Sequence, residues 1–589
     1  MTPNTTPNRP TQPPVPGFPA SSTLDHLLHA AQAPFTGGIS PAAVANAYTD
    51  WLVHLANSPT KVSRLAHLGL SDWAKLVAYA AASMADKKAP PPAPPDRRDP
   101  RFRDAAWKGW PYNVMAQGFL LSQAWWDEAT THLRGLEKQH EREMAFLARQ
   151  NLDLMAPANF PWLNPEVIQR TLEEGGANLV RGFSNLLEQW RQQALGEKPA
   201  GAEKYRVGKE VAVTPGKVVF KNNLIELIQY APQTDTVWAE PVLIVPAWIM
   251  KYYILDLSPE DSLVRFLVGR GHTVYMISWK NPAADDRDLG MDDYRRLGIM
   301  AGLDAVTKIQ PDRKVHACGY CLGGTLLAIA AAAMARDGDE RLASVTLLAA
   351  QTDFTEAGEL MLFIDESELS YLEDMMWAQG YLDTKQMSGA FQLLRAPDLI
   401  WSRMIHHYLL GEDETFNDLM AWNTDLTRMP YRMHAEYLRR LFLENRLATG
   451  RYEVDGRPIS LTDIRPEIFA VGTTRDHIAP WQSVYKIKIL TDTDVTFVLA
   501  GGGHNAGIVS EPGHAHRSYQ LMAVKEREAY TDPESWRRQA PKQDGSWWPA
   551  WSEWLAKRST QRMKPPRMGL PGRGNGPLMD APGSYVLVE

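Results

Sequence analysis

KVHACGYCLGGT, residues 314–325, decides the fold of this chain. It opens on an apolar run, Lys314–Tyr320, that reads as a buried strand, and leads into a helix-forming run, Thr325–Arg336. Between them Gly319-Tyr320-Cys321-Leu322-Gly323 has the form G-x-C-x-G, a cysteine version of the G-x-S-x-G nucleophile elbow. A nucleophile at the apex of a sharp strand-to-helix turn adopts a strained backbone. Side chains two residues to either side then collide unless they are glycine. With glycine near 7% of residues, two cysteines acquire such flanks by accident about 1% of the time. The helix start favours thiolate over thiol at Cys321 and offers the Leu322 N–H to an oxyanion. Two other readings stay open: Cys321 as a buried structural cysteine, and Cys318-Gly319-Tyr320-Cys321 as a C-x-x-C redox pair.

Outward from the elbow, short apolar runs alternate with helical segments. PVLIVP (Pro241–Pro246), HTVYMISW (His272–Trp279), SVTLLAA (Ser344–Ala350), EIFAVG (Glu467–Gly472) and VTFVLA (Val495–Ala500) read as further strands. Near-continuous apolar strands separated by helices predict a mostly parallel sheet covered on both faces, here an α/β-hydrolase core. KVVF and LIELIQY, flanking Asn222-Asn223, predict a hairpin at its start. In this architecture nucleophile, acid and histidine follow one another along the chain. Asp476 (VGTTRDHIAPW) and His504 (LAGGGHNAG) each follow a strand in that order, with glycines 501–503 giving His504 freedom to reach the thiol. An imidazole there can take the Cys321 proton, and Asp476 can orient its other nitrogen. His477 and Asp353 are alternatives to Asp476. The second oxyanion donor is expected near Ala247 or Trp248, after the first core strand.

The domain expectation follows from shifts in composition. Residues 1–22 are Pro/Thr-rich and read as disordered. Residues 23–205 carry helical patterning, interrupted by a proline-rich linker near 87–100. Residues 206–589 hold the catalytic domain, with a helical, aromatic-rich insertion at about 353–452 placed as a lid. A net charge of −7 leaves no basic excess for nucleic acid, and only two cysteines argue for a reducing cytoplasm without a disulfide framework. No basic-then-apolar leader opens the sequence, and no apolar run approaches the roughly 18 residues of a membrane span.

With those residues in place, the chain resembles a class I-type polyhydroxyalkanoate synthase over roughly residues 100–589. The resemblance runs through DPRFRDAAW (Asp99–Trp107), APANFPWLNPE (Ala156–Glu166), VTPGKVVFKNNLIELIQY (Val213–Tyr230), KYYILDLSPEDSLVRF (Lys251–Phe266), GHTVYMISWKNP (Gly271–Pro282), GYCLGGT, FQLLRAPDLIW (Phe391–Trp401), GTTRDHIAPW (Gly472–Trp481), GHNAGIV (Gly503–Val509) and GSWWPAW (Gly545–Trp551). It implies polymerisation of (R)-3-hydroxyacyl-CoA into polyester with CoA release. The family's nucleophile, aspartate and histidine fall on Cys321, Asp476 and His504. Arg395 falls in the family's CoA-contacting stretch, and His477 is a further candidate substrate contact. The resemblance also implies a homodimer, residence on polymer granules in the cytoplasm, and a helical N-terminal domain that assists both activity and granule association. No cofactor or metal is called for, CoA being part of the substrate and a product. VPAWIMKYY departs from the family pattern at Ala247 and Met250, and GHAHRSYQ (Gly513–Gln520) lacks a lysine-rich run. A cysteine hydrolase or thioesterase of the dienelactone type, and a weakly active or silent granule protein binding through Trp125-Trp126 and Trp547–Trp551, are the competing readings.

Overall fold

The computed structural model describes residues 23–86, 88–93, 101–384, 386, 400–526, 528–570, 572 and 576–589. The tail at 1–22, much of the proline-rich linker and Arg395 lie outside the described residues.

The sheet begins with a hairpin, β1 (Gly216–Lys221) and β2 (Ile225–Tyr230), paired antiparallel. Its turn is held by the Asn222 side-chain oxygen, which accepts from the N–H groups of Leu224 and Ile225 at 2.8 Å each. The core strands follow: β3 (Val242–Val245), β4 (Val274–Trp279), β5 (Val315–Tyr320), β6 (Leu342–Leu348), β7 (Ile468–Thr473) and β8 (Val495–Ala500). These six are mutually parallel. Nearly every residue in them is buried, which is why they read as apolar runs without alternation. β9 (Ser518–Val524), β10 (Lys542–Asp544) and β11 (Met579–Asp580) close the edges antiparallel, giving the order β10-β9-β8-β7-β6-β5-β3-β4-β2-β1-β11. The sequence reading had not marked those three edge strands.

Ahead of the sheet come α1 (Thr23–Thr36), α2 (Pro41–Ala56), α3 (Pro59–Ala85), α4 (Tyr112–Thr130), α5 (Lys138–Leu154), α6 (Pro165–Glu173) and α7 (Ala177–Leu195). The helical patterning of Tyr112–Arg149 and that of Pro165–Gln193 each read as one long run from the sequence, and each is split in two. His132 and Gly135, at φ 57° and 94°, separate α4 from α5, and Gly175 and Gly176, at 59° and 88°, separate α6 from α7. Left-handed backbone ends a helix.

These helices dock on the insertion at 353–452. His26 and His29 of α1 bond the Asp374 carboxylate at 2.5 and 2.6 Å, within the insertion helix Glu366–Gln379. Asn178 and Asn185 of α7 reach the carbonyls of Leu409 and His407. A Cβ at Gly182 would lie 1.8 Å from the Tyr408 carbonyl, so only glycine allows that approach. Asn445 closes the insertion on itself, accepting from the Phe354 N–H at 3.1 Å and donating to Asp353 at 3.3 Å.

The tryptophans of GSWWPAW are a correction to the surface reading. Trp547, Trp548 and Trp551 are 0–1% exposed, and their indole N–H groups donate to Gly507, Ile508 and Thr346. A buried indole with its N–H satisfied belongs to the core and offers no platform to a partner.

Candidate active site

At the end of β5 the chain turns through Cys321, whose φ of 51° is strained for a residue with a Cβ, and enters the helix Leu322–Arg336. The glycines of the motif are required by contact. A Cβ at Gly319 would sit 2.3 Å from Gly324 Cα, and one at Gly323 would sit 2.1 Å from the Val245 carbonyl oxygen. The second approach brings the first helical turn, with the Leu322 N–H, against the loop after β3 that carries Ala247 and Trp248. Both of those residues are buried. The loop is pinned from above by the insertion: the Thr427 N–H donates to the Ile249 carbonyl at 3.1 Å and its hydroxyl to the Trp248 carbonyl. The first helical turn and the loop after β3 are thus held against each other beside Cys321.

His504 hangs from the loop after β8, where Gly502 at φ 128° supplies a turn closed to other residues. Its Nδ1 lies 2.7 Å from Asp476 Oδ2. The other Asp476 oxygen accepts the N–H groups of Ile478 and Ala479 at 3.0 and 2.8 Å, which fixes the carboxylate in the loop after β7. Burial opposes charge on both groups, yet their mutual attraction wins. Asp476 is held below the ordinary carboxylate range by His504 and two backbone donors. Against the cost of burial, the Asp476 charge and then Cys321, through charge and hydrogen bonding, raise His504 well above the usual imidazole value. Asp476, bonded to Nδ1, and Cys321 are thus the two groups that raise His504. The three residues named from chain order are brought together.

The alternatives fall elsewhere. Asp353 faces Thr355, Asn445 and Lys486. His477 follows Asp476 on the same loop, and its carbonyl accepts the Glu359 N–H. Cys318 is buried inside β5 between Ile244 and Thr346, and burial pushes its thiol far above the ordinary range. A redox partner needs an accessible thiolate, so the C-x-x-C reading fails there.

Three residues were missed from sequence. The Tyr320 hydroxyl donates to Asn505 Oδ1 at 2.6 Å, and its ring lies 5.7 Å from the His504 ring, buttressing the histidine loop. Tyr437, on the insertion helix Tyr431–Tyr437, is buried, and after burial the charge at Cys321 is what raises its phenol. Tyr320 and Asn505 are neighbours of the motif residues, a signal available from position alone. Tyr437 carries none. Among the described residues no group of three or more potential metal ligands comes together.

Comparison with known proteins gives three family matches. Residues 98–267 match the family described as poly-beta-hydroxybutyrate polymerase (PhaC) N-terminus. Residues 19–61 match poly-beta-hydroxybutyrate polymerase N terminal, and residues 240–511 match alpha/beta hydrolase fold. The chain is 40% identical over 503 residues to a poly(3-hydroxyalkanoate) polymerase of Methylorubrum extorquens, covering 85% of this chain and 82% of the relative. It is 38% identical over 501 residues to the polymerase subunit PhaC of Rhizobium meliloti, covering 85% and 81%. It is 35% identical over 515 residues to that of Cupriavidus necator, covering 86% of each.

Proposed function

The chain belongs to the poly(3-hydroxyalkanoate) polymerase family, and from that premise we propose that Cys321, His504 and Asp476 carry its polymerisation of (R)-3-hydroxyacyl-CoA through an acyl-cysteine intermediate. The observation that carries this reading is His504, bonded through Nδ1 to the Asp476 carboxylate at 2.7 Å and with its ring 5.7 Å from that of Tyr320, the residue before the strained elbow at Cys321.

Cys321 gives its proton to His504, and the thiolate attacks the thioester carbonyl. The oxyanion forms against the Leu322 N–H and the backbone at Ala247–Trp248. Collapse expels CoA as thiolate, which takes the proton from His504. One thioester has replaced another, so the acyl group stays activated. The hydroxyl of a second hydroxyacyl unit then attacks, its proton passing to His504, and Cys321 leaves as thiolate with a new ester formed. No electrons are exchanged, and the chemistry asks for no cofactor. The insertion excludes water, whose attack would release free acid. Action at the polymer granule surface as a homodimer belongs to the same proposal. No described helix is long and apolar enough to cross a membrane.

Purified protein incubated with (R)-3-hydroxybutyryl-CoA tests it. CoA release with insoluble polyester is expected. CoA release with soluble 3-hydroxybutyrate makes it a thioesterase, and no release makes it a silent granule protein.

A further inference from the structure

Tyr320 ends β5 immediately before Cys321, and Asn505 immediately follows His504 in the loop after β8. The bond from the Tyr320 hydroxyl to Asn505 Oδ1, 2.6 Å long, therefore joins the chain neighbours of the nucleophile and its base. β6 and β7 lie between β5 and β8 in the sheet. Three strand spacings, roughly 14 Å, are more than a tyrosine side chain reaches. The histidine loop thus folds back over the ends of β7 and β6, and Tyr320 meets it there. Other anchors hold the flanks of this loop. On the N-terminal flank the Arg475 N–H donates to the Gly502 carbonyl at 2.9 Å, and the Gly502 N–H to Thr474 Oγ1 at 3.2 Å. On the C-terminal flank the indoles of Trp547 and Trp548 donate to the carbonyls of Gly507 and Ile508 at 3.0 and 2.9 Å. Those anchors belong to the acid loop and to the tryptophan-rich segment. Tyr320 belongs to the elbow itself.

We propose that Tyr320 and Asn505 are positioning residues whose bond sets the gap across which Cys321 passes its proton to His504, an assignment that rests on the triad reading above. Tyr320 is 2% exposed, so water does not replace Asn505 as the partner of its hydroxyl. Its ring stands 5.7 Å from the His504 ring, at 37° to it, and limits how far the imidazole swings. Asn505 is itself fixed, because its carbonyl accepts the N–H groups of Ile508 and Val509 at 3.0 and 2.9 Å. Two restraints therefore divide the work. Asp476 orients the imidazole through Nδ1, and the Tyr320–Asn505 bond fixes where the ring stands relative to the elbow. A misplacement of about 1 Å between reacting groups costs on the order of 10²-fold in rate.

The test is a cycle of Tyr320→Phe, Asn505→Leu and the double variant on (R)-3-hydroxybutyryl-CoA. Tyr320→Phe keeps the ring and removes only the hydroxyl. Its kcat is expected to fall about 10- to 100-fold with KM within about twofold of wild type. The double variant should lose no more than about twofold beyond either single one, because all three lack the same bond. The His504 imidazole resonance should titrate lower in Tyr320→Phe, since Cys321 is one of the groups that raise it. A kcat within about twofold of wild type, losses that multiply in the double variant, or an unmoved His504 titration overturns the assignment. If Asn505→Leu, which orphans a buried hydroxyl, does not fold, kcat and the titration of Tyr320→Phe decide alone. If wild type turns over no thioester, the polymerase reading fails by itself. Alkylation of Cys321 by iodoacetamide, with Cys318 buried, still reads the bond. A rate several-fold lower in Tyr320→Phe supports it, and an equal rate overturns it.

Discussion

Cys321 can hold its strained φ of 51° only because the glycines around it let the backbone close in. Gly323→Ala should accordingly do more harm than its size suggests, since the new Cβ meets backbone oxygen at 2.1 Å. We expect a loss of about 1–3 kcal/mol by thermal or denaturant unfolding, with turnover reduced further because the Leu322 N–H is displaced from the Ala247 loop. Asp476→Asn keeps the shape but removes the charge that orients His504, and kcat should fall about 10³- to 10⁴-fold with KM little changed. The imidazole resonance gives a second readout. His504 should titrate lower in Cys321→Ala and in Asp476→Asn, because each removes one of the two groups that raise it. The same shifts have a sign for stability. The raised His504 contributes most below the ordinary imidazole value and loses that contribution as pH rises through its folded value. The lowered Asp476 contributes above the ordinary carboxylate value and loses its share as pH falls through its own. Cys321, Asp476 and His504 were legible in the sequence because elbow spacing and strand-end order are local. Tyr437 was not, because its place is set by how the insertion folds back, with no pattern of its own.

At the level of elements, β3–β8 were readable since a strand buried on both faces must be apolar throughout. The edge strands were not: β10 is wholly exposed and β9 half so, leaving neither run nor alternation to see. The split of α4 from α5 and of α6 from α7 turned on single left-handed residues inside otherwise continuous helical patterns. A testable consequence sits where the N-terminal helices meet the insertion. Burial raises Glu368 to about 8, opposed by the Ser40 N–H that its carboxylate accepts, and raises nearby Glu143 to about 7. A carboxyl whose folded value is raised binds protons on folding, so stability is fullest below about 4.5 and falls as pH climbs through 7 and 8. Glu368→Gln should therefore raise Tm more at pH 8.5 than at pH 5. An equal shift at both would mean that the carboxyl is not titrating at this contact.

Across the whole molecule, the helical N-terminal region grips the same insertion that carries Tyr437. The contacts join residues more than two hundred positions apart: His26 and His29 with Asp374, Asn178 with Leu409, Gln139 with the Met361 carbonyl. No single-sequence pattern encodes such pairing, so the lid was legible as an insertion while its partner was not. Replacing both His26 and His29 by alanine should loosen α1 and raise hydrogen exchange in Glu366–Gln379 without altering exchange in β3–β8. The expectations for turnover assume that the acyl group passes through one sulfur. The most direct measurement is intact-mass and peptide analysis after a rapid acid quench of enzyme mixed with (R)-3-hydroxybutyryl-CoA. A 3-hydroxybutyryl adduct, or short oligomers of it, on the peptide bearing Cys321 is predicted, absent in Cys321→Ala and strongly reduced in His504→Ala. Polymer forming at the normal rate with no adduct on Cys321, or in Cys321→Ala, would contradict the account.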